Sequence, residues 1–162
     1  MELMMTVNQV RDGVTKSLRL PEGKMRIASP TTAQKIVFAP RSYYNPLIDR
    51  GETPVFIGMQ TCEPNYQIGA HWHPYTECLV VLEGEAFAWL IGKEEEGGVA
   101  RAGDVIEFPP ILPHAFRTHG DKQLRVLGIH CSPTRIVHFL DESLVLKNGY
   151  QVLNDELQPT YA

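Results

Sequence analysis

Four residues of this chain have the types and spacing to grasp a metal ion. His71 and His73 stand at i and i+2, and Glu77 follows four residues after the second histidine. On a β-strand, side chains two apart project to the same side, so the two imidazoles emerge together. Pro74, Tyr75 and Thr76 are poor strand sequence and read as a bend that returns Glu77 beside the rings. Glu77 itself heads the apolar run Cys78 to Leu82. Neutral nitrogen donors with one carboxylate oxygen suit a divalent first-row metal such as Fe, Mn, Co, Ni or Zn. Three ligands leave coordination incomplete, and His114, 37 residues beyond Glu77, offers the fourth. Such a set leaves two adjacent positions of an octahedron open, the feature that separates catalytic from structural sites.

The frames around these residues are also informative. Gly84 follows Glu77 after six residues, and a second stretch runs from Gly103-Asp104 through Val105, Ile106, Glu107 and Phe108 to Pro109 and His114. The two stretches together resemble the paired motifs of the cupin superfamily. His71, His73, Glu77 and Gly84 fall on its first motif in register, and Gly103, Pro109 and His114 fall on its second. Three positions depart from that pattern. Asn65 stands at the first motif's opening glycine, with Gly69 the nearest glycine; Ile111 replaces the glycine of Pro-x-Gly, and Thr118 an asparagine. The resemblance covers residues 55 to 132 and implies a double-stranded β-helix, or jelly-roll barrel, with one divalent transition metal inside. It also implies that N-terminal strands extend toward a partner subunit.

A metal site of this kind polarises an oxygen-bearing substrate, acidifies bound water, or brings O₂ and a chelating substrate together. Proton transfer then needs a further side chain, and the candidates are His130, Glu107, Tyr75 and Arg117, the last also able to receive a substrate carboxylate. His130 stands at a strand end, a common place for a surface histidine. Three functions follow. The resemblance permits a metal-dependent dioxygenase acting on a small organic acid, diketone or phenol; the alternatives are a non-oxidative isomerase or lyase and a non-catalytic binder of small molecules. A base near the open positions favours the second.

Composition sets the outer bounds. A chain of 162 residues holds about one domain with one sizeable core. Thirteen glycines and twelve prolines favour many short strands over long helices. A net charge of −4 without a basic cluster gives no electrostatic case for nucleic acid. Cys62, Cys78 and Cys131 are scattered and read as reduced thiols. No secretory leader or membrane span is evident, so a cytoplasmic protein is expected.

The expected class is all-β, with about ten short strands. Residues 1–54 are read as an N-terminal extension, 55–132 as the barrel core and 133–162 as a C-terminal segment packing on it. Val7, Val10, Val14 and Leu18 have helical spacing. Strands are expected at Met25–Ala28, Lys35–Ala39, Val55–Cys62, Leu79–Leu82, Val105–Phe108, Ala115–Thr118 and Leu124–Ile129. Ile136–Leu140 reads as a last strand or the opening of a short helix, and Val145–Leu153 as a further strand. Arg41 to Thr53 reads as a loop, and Glu83-Gly84-Glu85 and His119 to Lys122 as hairpin turns. Between Ala86 and Ile91, small residues alternate with Phe87, Trp89 and Ile91, so both faces are expected to be covered. The large face suits a second subunit, hence an expected homodimer.

Overall fold

The structure is a computed structural model that describes residues 25–39, 41–141 and 151–153. The helix expected near residues 6–20 and the polar tail lie outside the described residues. Two six-stranded antiparallel sheets face each other. The first has the order β1 (Ile36–Ala39), β2 (Ser42–Ile48), β3 (Phe56–Cys62), β10 (Leu124–His130), β5 (Glu77–Glu83) and β8 (Val105–Phe108). The second has the order β12 (Gln151–Leu153), β11 (Arg135–Phe139), β4 (His71–Trp72), β9 (His114–His119), β6 (Glu85–Leu90) and β7 (Gly98–Arg101). This is the all-β jelly roll expected from the sequence. A single 3₁₀ turn at Glu94–Glu96 forms the exposed acidic tip.

Alternation decides what enters the barrel. In β10, Leu124, Val126, Gly128 and His130 are buried while the residues between them are only half-buried. In β5, Glu77, Leu79 and Val81 face inward by the same rule. Cross-strand register then sorts the interior into two ends. Leu124 lies opposite Cys62, and with Val81, Ala86, Phe116 and Val126 it belongs to an apolar core. At the other end of the same ladder, His130 lies opposite both Phe56 and Glu77. Apolar burial at ~25 cal/mol per Å² stabilises the first end, and that stability supports a polar cluster at the second.

Several local readings are corrected. Residues 42–48 form β2 rather than a loop: Tyr44 is buried, and Pro46 falls at a register shift beyond the last β1 pair, where the ladder is already interrupted. Met25 to Ala28 form no strand, and Met25 and Ile27 are exposed, with no ladder to hold them. Glu83-Gly84-Glu85 and His119–Lys122 are not hairpin turns, because β5 and β10 belong to one sheet and β6 and β9 to the other. Both are corners where the chain changes sheets, and they meet: a Cβ on Gly84 (φ 74°) would collide with the Gln123 carbonyl. On the large face of β6, the Arg117 guanidinium lies 4.6 Å from the Phe87 ring and 5.7 Å from the Trp89 ring, while Ile91 stays exposed. Ile136–Leu140 is strand, as β11.

The two motif departures at glycine positions share one conformation. Asn65 (φ 65°) and Ile111 (φ 62°) are the two non-glycine residues with positive φ among those described. Asparagine tolerates that region, whereas a β-branched residue there is strained by about 1–2 kcal/mol. Ile111 gains little in return, since its side chain is 66% exposed. Its backbone, however, is held: the Ile111 N–H donates to the His73 carbonyl at 2.7 Å. Ile111→Gly is therefore expected to raise unfolding free energy by about 1 kcal/mol, after the entropy cost of glycine is deducted. Urea unfolding measures this, and a loss of stability would show that the isoleucine makes contacts worth more than its strain.

Candidate metal centre

His71 lies on β4 and His114 opens β9, directly opposite it in the ladder. His73 follows β4, and the bend at Pro74 and Tyr75 returns the chain to Glu77 at the start of β5. One donor atom from each of these four residues lies within 4.8 Å of all the others. Ligands ~2.1 Å from one ion stand at most ~4.2 Å apart, so little contraction is needed. All four are buried; the three rings are 1–2% exposed and Glu77 is 6% exposed.

Each imidazole is fixed by the same two devices. The first is a hydrogen bond from Nδ1 to a backbone carbonyl: His71 to Gly69 at 2.8 Å, His73 to Ile136 at 2.6 Å and His114 to Leu112 at 2.8 Å. A carbonyl only accepts, so Nδ1 carries the proton in every ring. The second is a flanking aromatic: Phe139 beside His71 at 5.6 Å, Tyr75 stacked on His73 at 5.3 Å and Phe108 stacked on His114 at 4.0 Å. Nε2 is thus the free donor on all three rings, the arrangement expected of oriented metal ligands.

The contacts with Glu77 test whether a cation fits. Its Oε2 lies 3.1 Å from His73 Nε2 and 3.2 Å from His114 Nε2. With Nδ1 already protonated, such a contact needs either a second ring proton, making an imidazolium, or a shared cation. Burial opposes the imidazolium: it drives His71 well below its usual value, with His73 and His114 adding to the depression. Burial pushes Glu77 up, but the neighbouring His73, His130 and His114 outweigh it and hold the carboxyl well below the usual carboxylate range. An ionised Glu77 beside a His71 ring held neutral suits a metal ion. The donor set fits a metal ion.

The proton-transfer candidates separate cleanly. His130 is 1% exposed rather than at the surface, with Nε2 3.4 Å from Glu77 Oε1 and no hydrogen-bond partner for Nδ1. Its ring meets those of His73 at 4.9 Å and Phe56 at 5.8 Å. Burial drives its pKa well below the usual value, against the pull of Glu77. Tyr75 is beside the site but occupied: its hydroxyl donates to the Ile136 carbonyl at 3.1 Å and accepts from the Ile136 N–H at 2.7 Å. Burial pushes that phenol up to about 12. Glu107 and Arg117 are exposed, on the strand faces opposite to Phe108 and His114, and do not join the cluster. The sequence reading missed Arg135, which is 4% exposed on β11.

A family model described as Cupin domain matches residues 58–130. Polyketide synthase CurC of Streptomyces cyaneus is 36% identical over 84 residues, 51% of this chain and 52% of that protein. The chain spans about half the length of the curated relatives it matches. The polyketide cyclase RemF of Streptomyces resistomycificus shares the fold with a TM-score of 0.60 at 21% identity, covering 78% of this chain and 89% of that one. An oxalate oxidase structure gives a TM-score of 0.61 at 21% identity, covering 75% and 67%. Among the described residues, no helix is long and apolar enough to cross a membrane.

His114→Ala is expected to remove most of the metal from protein purified without chelator, while the apolar end of the barrel keeps the far-ultraviolet spectrum of strands. Elemental analysis beside circular dichroism checks both, and full metal content in the variant would defeat the assignment. In its matched domain model, its two-sheet barrel and its motif frames alike, the chain carries a cupin domain over residues 58–130.

Proposed function

We propose that the chain is a metal-dependent enzyme that moves protons on a small carbonyl or enol substrate, in an isomerisation or ring closure. The observation that carries this reading is His130, a buried imidazole aligned by the outer oxygen of a carboxylate whose other oxygen faces the donor cluster. With Nε2 turned to Glu77 Oε1, Nδ1 is the atom left to accept a proton. A carboxylate that fixes one nitrogen so that the other can act as base is the logic of an oriented catalytic histidine. The bound metal, one of Fe, Mn, Co, Ni or Zn, would supply Lewis-acid polarisation of the substrate oxygens. Tyr75 stacks on His73 and ties β11 to the site; it positions and does not transfer protons. The similarity to CurC and RemF, named as a polyketide synthase and a polyketide cyclase, supports a substrate with adjacent carbonyl oxygens.

The dioxygenase reading is the competitor, favoured by the open three-His, one-Glu set and by the shared fold of an oxalate oxidase. Acetylacetone in D₂O separates the two. The proposal expects metal-dependent deuterium uptake at the central carbon without O₂ consumption; O₂ consumed in step with substrate loss overturns it. His130→Gln is expected to slow the exchange by roughly 10²-fold or more with metal content unchanged. An equal rate in the variant would remove His130 from the mechanism.

A further inference from the structure

Among the described residues, two fully buried side chains carry a formal charge outside the histidines: Glu77 and Arg135. Glu77 is surrounded by the imidazoles. Arg135 has no such company. Its Nε is sealed from solvent without a hydrogen-bond partner, and among the described residues the guanidinium makes no ion pair. Its guanidinium lies over the face of the Tyr44 ring, 5.0 Å away. A cation–π contact of this kind offsets only a small part of the cost of burying a charge.

The position is equally specific. Arg135 alternates with buried Val137 along β11, so it projects into the barrel and not onto its surface. The next residue, Ile136, holds both His73 and Tyr75 through its backbone. The arginine is therefore fixed to the metal cluster by one peptide unit. On the opposite sheet, Tyr44 stacks on Phe56 at 6.3 Å, and Phe56 meets the edge of His130 at 5.8 Å. The Nδ1 of His130 is another buried polar atom without a partner. Gly128, inward on β10, leaves bare backbone there: a Cβ would sit 3.6 Å from His130 Nε2 and 3.8 Å from Glu77 Oε1.

We infer that Arg135 is the anion-binding group of the interior, and that it receives a carboxylate carried by the substrate. The substrate class is thereby narrowed to small oxo acids, in which a carboxylate lies a few bonds from the carbonyl oxygens. This deepens the proposed reaction and rests on it for the identity of the site. The carboxylate itself is bound by the chain's own residues and can be read without metal or turnover.

The test uses Arg135→Met, which keeps an unbranched apolar stem and removes the charge. In chelator-treated protein at constant ionic strength, acetate is expected to raise the melting temperature of the wild type more than chloride does, and to lose that advantage in the variant. Without acetate the variant should melt no lower than the wild type, because an unpaired buried charge has gone. In metal-loaded protein, acetoacetate should bind roughly tenfold or more tightly than acetylacetone, and the variant should not distinguish them. A variant that melts well below the wild type shows that Arg135 is already satisfied by the fold, and overturns the inference. So does an acetate effect of equal size in both proteins. Failure of deuterium exchange with these acetate results intact rejects the proposed reaction and leaves the anion site standing.

Discussion

The structure depends on one carboxylate buried beside imidazoles whose Nδ1 protons are committed elsewhere. Three rings have committed Nδ1 to backbone carbonyls, and the Nε2 atoms of His73 and His114 turn to Glu77. The cost of gathering these groups away from water runs to several kcal/mol per charge. That cost explains the double restraint on each ring. A carbonyl without an aromatic flank would let the imidazole swing about its hydrogen bond, and the flank without the carbonyl would leave the tautomer open.

Placement of the cluster at one end of the barrel follows from register. His71 and His114 are opposed across β4 and β9, and Glu77 and His130 across β5 and β10. Each sheet thus brings one pair to the same level, and the facing of the two sheets brings the pairs together. The apolar residues that continue the same strands, Leu79 and Val81 on β5 and Leu124 and Val126 on β10, supply the packing that holds this level in place. Strain is accommodated at the rim instead of the core. Ile111 adopts its left-handed backbone in the loop whose N–H reaches the His73 carbonyl.

The four donors were legible because three of them lie in one short stretch of chain and the fourth in a glycine- and proline-bounded frame. Parity within single strands held more than was read from it. His114, Phe116 and Thr118 are inward, which puts Arg117 outside; Phe108 is inward, which puts Glu107 outside. The same count from Leu124 and Val126 puts His130 inside, and from Val137 puts Arg135 inside. What no local count could supply was pairing. Turn residues at Gly84 and Gly120 mark a change of direction, but whether the flanking strands bond to each other depends on strands far away in sequence. Likewise β2 lacked strand character at Pro46, and only its neighbours β1 and β3 make it one. The helix read over residues 6–20 falls outside the described residues.

Two buried charges of opposite sign usually neutralise one another, and here they do not. Glu77 directs one oxygen to the cluster and the other to His130. A dication held by that cluster would carry more positive charge than one carboxylate cancels, and Arg135 adds to the excess. The interior is then electrostatically incomplete in a definite sense: it is short of negative charge, and short of it on the side where Tyr44, Phe56 and Gly128 replace polar side chains. An anion that also offers a carbonyl to the metal would satisfy both ends together. Ile136, which links Arg135 to His73, would then fix the distance between those ends, and with it the size of the molecule the barrel accepts.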